Sequence, residues 1–205
     1  MTKPKSQTTE LRAKLDTAIR QTRTTRFYQS VNILWPNSFA VLTRVAQFVG
    51  DEVRLPGDKV PFLERILVQT KKHLSQAEAS GEIRFENRDR DYLVAFLHGL
   101  FSEVGKVFLL QVCTSSSYWD PHTEACILWR RHTQGELRCE WIRQDATTAS
   151  AELVKKAAEA LLDSREVAIL GQDLPRVWGQ TPEQPVLAET DNKLMALETP
   201  TRTHH

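Results

Sequence analysis

Apolar residues recur every three or four positions along much of the chain, the spacing that places them on one face of an α-helix. In the stretch 89–112 they occupy nearly every side from Leu93 onward, as in a helix buried at the centre of a domain. Alternation of Leu137, Cys139 and Trp141 with charged residues permits a short strand, and a helical turn fits the same pattern. Further helices are predicted over residues 36–49, 60–79, 149–163 and 165–171, and after Asp120-Pro121.

These elements predict an all-α fold, a compact helical domain with at most a short β-hairpin. Residues 26–178 form the predicted domain, and residues 1–25 form an N-terminal arm with a short amphipathic helix. Residues 179–205 are rich in Pro, Thr, Glu and Gln, so we expect them to form a mostly disordered tail. The longest apolar runs are interrupted before the roughly 18 residues that a membrane-spanning helix needs, so we expect no membrane span and no membrane partner.

The composition changes this picture little. Hydrophobic residues make up 40% and charged residues 26% of the chain, and the formal net charge is +1. Such a balance argues against a protein whose overall positive field binds nucleic acid, although it is compatible with a local basic patch. The widely spaced cysteines Cys113, Cys126 and Cys139 indicate free thiols in a reducing compartment. Together with a polar N-terminus that lacks the apolar core of a signal peptide, they predict a cytoplasmic location.

The segment Phe96–Val107 has the layout of a metal-binding helix but different residues at the ligand positions. An apolar helix leads into the polar pair Ser102-Glu103, which is followed by Gly105-Lys106 and further apolar residues. The same pattern includes Leu34-Trp35-Pro36-Asn37, which precedes this segment in the chain. It also includes three later elements, in this order: Trp119-Asp120-Pro121, Trp129 and Asp163.

In order and spacing these segments resemble the HD superfamily of metal-dependent hydrolases, and they are most similar to the HD-type relaxase domain of integrative conjugative elements and plasmids. The resemblance implies an HD-like helical fold. Asn37 stands where the family has a metal-binding His, Ser102-Glu103 replaces its His-Asp pair, and Asp163 matches a late Asp. An amide and a hydroxyl are poor ligands for a transition metal. The degenerate positions Asn37, Ser102, Glu103 and Asp163 are therefore expected to lie together without binding metal, and no catalytic residue or cofactor is assigned.

Glu103 is the residue on which the alternatives depend, because it still offers a carboxylate. If the protein is an enzyme, Glu103 is its catalytic candidate, and a divalent metal such as Mn or Mg is the cofactor. His98 lies four residues before Ser102 and is then a conceivable substitute ligand. The plainer interpretation makes His98 a histidine at the edge of the core, hydrogen-bonded to a neighbour. Glu103 then becomes a structural acceptor for Lys106 or for a backbone N–H.

Three functions follow from these alternatives. The first is a non-catalytic accessory protein of a bacterial mobile element or conjugation-related system, acting through contacts with a protein partner and with DNA as a further candidate. The second is a divergent metal-dependent phosphohydrolase or nuclease that retains Glu103. The third is a signalling scaffold similar to the HDOD domains, in which metal ligands are also eroded. The oligomeric state is left open.

Nucleic-acid contact has its own candidate residues. Base stacking is assigned to Trp119, Trp129 and Trp141, for which packing in the core is the plainer alternative. Phosphate or DNA contact is assigned to a set of basic residues, for which a solvated surface is the plainer alternative: Lys106, Arg130, Arg131, Arg138 and Arg143.

Overall fold

The computed structural model describes residues 38–143 and 147–180, with side chains from residue 40 onward. The predicted arm and its amphipathic helix, the candidate residue Asn37, and the predicted tail from residue 181 lie outside the described residues. Of the described residues, 61% are helical and 7% are in strands. The helices are α1 (Ser38–Val49), α2 (Phe62–Ser80), α3 (Arg88–Val104), α4 (Cys126–Arg130), α5 (Ala151–Leu161), α6 (Ser164–Leu170) and α7 (Leu174–Val177).

Helix α3 lies at the centre of the fold, as its apolar residues predict. Leu97, Leu100 and Phe101 are fully buried, and the helix packs against α2 on one side and α5 and α7 on others. Its predicted end at residue 112 is wrong: α3 ends at Val104, and a 3-10 turn over Gly105–Leu109 leads into strand β1. In the sequence, a short strand with buried residues looks like the continuation of an apolar helix. Over so few residues, the helical period of 3.6 and the strand period of 2 cannot be told apart.

The helical hairpin of α1 and α2 was predictable from its ends. Gly81, after the last residue of α2, adopts φ 78°, a left-handed conformation that glycine reaches at little cost. The turn between the two helices is closed by the Asp58 N–H, which donates to the Leu55 carbonyl at 2.9 Å. The apolar positions of the helix predicted at 60–79 are buried in α2.

A small antiparallel sheet makes the fold mainly helical rather than all-α. Its strands are β1 (Leu110–Cys113), β2 (Tyr118–Trp119) and β3 (Arg138–Trp141), in the order β2-β1-β3. Of the strand and the helical turn that the pattern at 137–141 permitted, the strand forms, and the sheet is larger than the single hairpin that was allowed for. It forms because β1 can pair with strands on both of its edges, and β3 comes from a distant part of the chain.

The helix predicted to begin at Asp120-Pro121 begins five residues later than Pro121, at Cys126, because a turn forms at the predicted start. The Asp120 carboxylate accepts a hydrogen bond from the His122 N–H at 2.9 Å, closing a turn on its own side chain. The Trp119 indole N–H donates to the Glu124 carbonyl at 2.8 Å and holds this loop against the sheet. Helix α4 therefore begins only at Cys126 and has five residues.

One helical stretch is long and apolar enough to cross a membrane by length and composition alone. It runs over Phe85–Leu109, and 67% of its most apolar window is buried inside the fold. We expected no such segment because the uninterrupted apolar runs are too short. A helix with a few polar positions can still be apolar enough to cross a membrane. A buried core helix satisfies the same criterion, and burial around α3 accounts for this composition.

Candidate functional site at the end of the central helix

Glu103 is a buried carboxylate at the C-terminal end of α3. Its residue exposure is 4%, and both of its carboxylate oxygens lie 2.7 Å from the Lys106 ammonium nitrogen. Lys106 sits in the following 3-10 turn, and its side chain is only 15% exposed. The expectation that Glu103 accepts from Lys106 is confirmed. In this arrangement the carboxylate charge is neutralised, and its lone pairs are directed at an ammonium group.

Two histidines lie near this ion pair on neighbouring helices. The rings of His73 on α2 and His98 on α3 are 6.3 Å apart. They can be so close because the residue after His98 is Gly99, where an added Cβ would lie 2.9 Å from the His73 Cβ. Burial lowers the pKa of His73, while the negative charge of Glu103 opposes that shift. The neutral imidazole is therefore favoured more strongly than in water.

His98 supports the C-terminal end of the described chain. Its Nδ1 lies 3.1 Å from the Val177 carbonyl, a distance at which a protonated Nδ1 donates a hydrogen bond. Gly179 packs against the same ring, since an added Cβ there would lie 2.8 Å from the His98 Cε1. These contacts match the plainer interpretation of His98 as a histidine at the edge of the core.

Asp163 has a structural role that is separate from Glu103. It caps the N-terminus of α6, accepting hydrogen bonds from the backbone N–H groups of Arg165 and Glu166 at 2.9 Å. Glu166 returns a hydrogen bond from the Asp163 N–H, which completes a capping box. Ser102 is half-buried on α3. Since Asn37 lies outside the described residues, convergence of all four predicted positions stays a prediction.

The part of the chain that the structure describes contains no set of side chains arranged to bind a metal ion. Within residues 38–143 and 147–180, no three His, Cys, Asp or Glu side chains group together in a way that could hold a metal ion. His73 lies near both His98 and Glu103, but these three do not form such a group. There Lys106 already holds both oxygens of the carboxylate, and His98 contacts a carbonyl.

The predicted basic contact residues fall into two groups. Lys106 is paired with Glu103, and Arg130 is held by Glu52 at 2.7 Å and by the Thr133 and Gly135 carbonyls. Both side chains therefore hold the fold together, and phosphate contact would require breaking these interactions. The other three basic residues are exposed and stay candidates for phosphate contact: Arg131, Arg138 and Arg143.

The three candidate tryptophans also differ in exposure: two are buried and one is half-buried. Trp119 and Trp129 are each 4% exposed, and their indole N–H groups donate to the Glu124 carbonyl and the Ser117 hydroxyl. They offer no free ring face for stacking a base in this structure, so the packing alternative applies to them. Trp141 is half-buried against the core, and its stacking role stays a prediction.

A network of buried carboxylates was not predicted. Asp91 on α3 accepts from Arg84 and Arg176, and Asp173 accepts from Arg90 and Arg176. Burial raises the pKa of Asp91, but hydrogen bonds from the two guanidinium groups outweigh it, so that the net pKa is lowered. Arg176 thereby fastens the C-terminal segment to the start of α3. Asp91 lies near the start of the helix predicted from residue 89, but the pairs Arg176–Asp91 and Arg90–Asp173 join residues 85 and 83 positions apart.

Two clefts adjoin Arg130. One has a volume of about 380 Å³ and is lined by the turn at 54–57 and by Leu137 and Cys139 of the β3 region. The other, of about 350 Å³, is formed by the loop that follows α4. Glu52 and Arg130 line both. The charged residues of the first cleft balance, with Glu52 and Glu136 against Arg54 and Arg130, whereas the second has Arg130 and Arg131 against Glu52.

Comparison of the chain with protein-family models, curated proteins and solved structures gives no match.

Proposed function

We propose that this protein is a non-catalytic HD-like domain that acts as an accessory interaction protein of a bacterial mobile element or conjugation-related system. The motif order of the HD-type relaxases supports the family, and one observation supports the loss of catalysis. Both oxygens of Glu103, the carboxylate that stands in the family's ligand pair, lie 2.7 Å from a buried ammonium group.

The chemical argument concerns what a metal would have to displace. A divalent ion at Glu103 would be close to the positive charge of Lys106, and the two cations would repel each other strongly where the dielectric constant is low. A hydrolytic metal also needs several imidazole or carboxylate ligands to acidify its bound water. Ser102 supplies a hydroxyl at the other position of the pair. The arrangement favours a structural carboxylate over a catalytic one.

The enzyme alternative is favoured by one observation: His73 lies near both Glu103 and His98. Glu103 acts electrostatically on His73, and the two imidazole rings are 6.3 Å apart. A rearranged site could take a metal from these three residues if Lys106 moved away. This second candidate is a metal-dependent phosphohydrolase or nuclease with Mn or Mg.

Elemental analysis of the purified protein, combined with phosphodiesterase and nuclease assays in added Mn²⁺ and Mg²⁺, separates the two functions. We expect substoichiometric metal and no turnover in the wild type and in Glu103→Gln. Stoichiometric metal, with activity that disappears in Glu103→Gln but not in the exposed control Glu78→Gln, would establish the enzyme. The variant Lys106→Met sharpens the test, because removing the ammonium group should permit metal binding only if the remaining residues can form a site.

DNA contact needs its own measurement. Binding of a fluorescent duplex should weaken with salt, and it should weaken further in Arg131→Ala with Arg138→Ala, if these exposed residues contact phosphates. A double change at two exposed lysines, Lys71→Ala with Lys72→Ala on α2, is the matched control for lost positive charge. Binding that is unaffected by the arginine changes would remove DNA from the proposal and leave a protein partner.

A further inference from the structure

Strand β3 is an edge strand whose outer side has no neighbouring strand within residues 38–143 and 147–180. Its register shows which backbone groups face outward. The Ile142 N–H donates to the Leu109 carbonyl at 2.9 Å, so that Leu110 and Trp141 form a pair without mutual hydrogen bonds. Glu140 consequently bonds to β1, whereas the N–H and C=O groups of Cys139 and Trp141 are directed to the outer edge.

A cleft adjoins this strand. It has a volume of about 380 Å³, and its lining includes Leu137, Cys139 and the turn at 54–57. Ile142, the next residue after the strand, is 62% exposed although it is strongly apolar. An uncovered strand edge next to an exposed apolar residue is a surface suited to pairing with another strand.

The charged residues of β3 are placed so that two antiparallel copies of the strand would bring opposite charges together. Arg138 and Glu140 are both exposed and lie on either side of Cys139. If two copies of the strand pair antiparallel about Cys139, Arg138 of each copy lies opposite Glu140 of the other. The same pairing places Trp141 opposite Leu137. The residues at positions 137, 139 and 141 would exchange backbone hydrogen bonds with the second copy. Their N–H and C=O groups are the ones directed to the outer edge.

We propose that β3 pairs with β3 of a second copy of this chain across a two-fold axis, joining the two small sheets into one. The interface is isologous, since each copy contributes the same strand and each ion pair occurs twice. Opposite charges directly across antiparallel strands are favourable, whereas like charges are unfavourable. Because the strand is short, we expect a weak dimer that forms at high protein concentration. This proposal does not depend on the function proposed above.

Sedimentation equilibrium of the full chain over a range of concentrations tests the pairing. Glu140→Arg places Arg138 opposite another arginine at both ends, and Arg138→Glu places glutamate opposite glutamate. Because symmetry changes both pairs at once, we expect each single variant to weaken dimerisation roughly tenfold. The double variant Arg138→Glu with Glu140→Arg should restore it, since the charges are only exchanged. Glu78→Arg, the same charge change on the exposed face of α2, should have no effect.

Amide hydrogen exchange distinguishes strand pairing from other modes of association. Protection of the Cys139 and Trp141 amides should increase with protein concentration, while the Glu140 amide is already bonded to β1 and should change little. A monomer at every concentration, or a dimer indifferent to the charge reversals, would overturn the proposal. Protection of Cys139 and Trp141 that is independent of concentration would also overturn it, because another segment of the same chain would then cover the edge.

Discussion

Removal of the positive charge beside Glu103 gives a sensitive test of the site. In Lys106→Met the side chain keeps much of its length and loses its charge, so that Glu103 remains buried without its partner. The two side chains are 15% and 5% exposed, and solvent can therefore screen the loss only partly. Breaking a buried ion pair by removing one partner costs about 3–5 kcal/mol. This is a large part of the roughly 5–15 kcal/mol by which a domain is stable.

Urea unfolding followed by circular dichroism measures this cost, with Lys156→Met as the control. Lys156 lies 3.3 Å from Glu152 on the surface of α5, where the side chains are 41% and 76% exposed. Exposed pairs of this kind contribute about 0.5 kcal/mol or less. The double variant Glu103→Gln with Lys106→Met should be more stable than Lys106→Met alone, because no buried charge remains. The reasoning is refuted if Lys106→Met costs no more than Lys156→Met, or if the double variant gains nothing.

Four further outcomes are expected. Leu100→Asp places a charge in the centre of α3 and should abolish the cooperative thermal transition, since even truncation of a large core residue costs about 2–5 kcal/mol. Arg176→Ala should reduce the free energy of unfolding by about 1.5–3 kcal/mol, because both buried aspartates that it bridges lose a charged hydrogen bond. Burial lowers the pKa of His73 below 6.5, so the unfolded state binds more protons in that range; stability should fall as the pH decreases through 6.5, and less so in His73→Asn. Burial raises the pKa of Cys126 to about 12, so its thiol should react with a disulfide reagent at pH 8 only after denaturant is added.

The elements that the sequence predicts well are those with local end signals. Helix α2 was predictable because its apolar stripe recurs at helical spacing and Gly81 follows its last residue. The alternation at 137–141 permitted a strand or a helical turn, and the structure forms the strand β3. The end of α3 was predicted wrongly since Leu110 and Val112 are buried in a strand yet continue an apolar run. Asp120-Pro121 has the residues of a helix start, but its carboxylate is used in a turn.

Some contacts of the candidate site could be predicted from nearby residues, and others could not. The Glu103–Lys106 pair could be predicted because residues three apart on a helical stretch are neighbours whatever surrounds them. The contact of His98 with the Val177 carbonyl joins residues 79 positions apart, and nothing near either residue indicates the other. Arg44 and Glu166 are 122 positions apart, and the Arg44 Nη2 donates to both Glu166 carboxylate oxygens at 2.6 and 2.5 Å. Sequence reasoning missed this pair for the same reason.

By itself, the sequence determined the helical character and the central position of α3, and it offered Lys106 as one of the alternative partners of Glu103. Each of these depends on residues within about one helical turn or on the period of apolar positions. Tertiary structure alone decided that three strands form a sheet, that Trp119 and Trp129 are buried, and that Arg176 pairs with Asp91 and Arg90 with Asp173. Such choices depend on which distant segments pack together. A buried charge takes the partner that packing brings within hydrogen-bond distance, and local spacing carries no information about that partner.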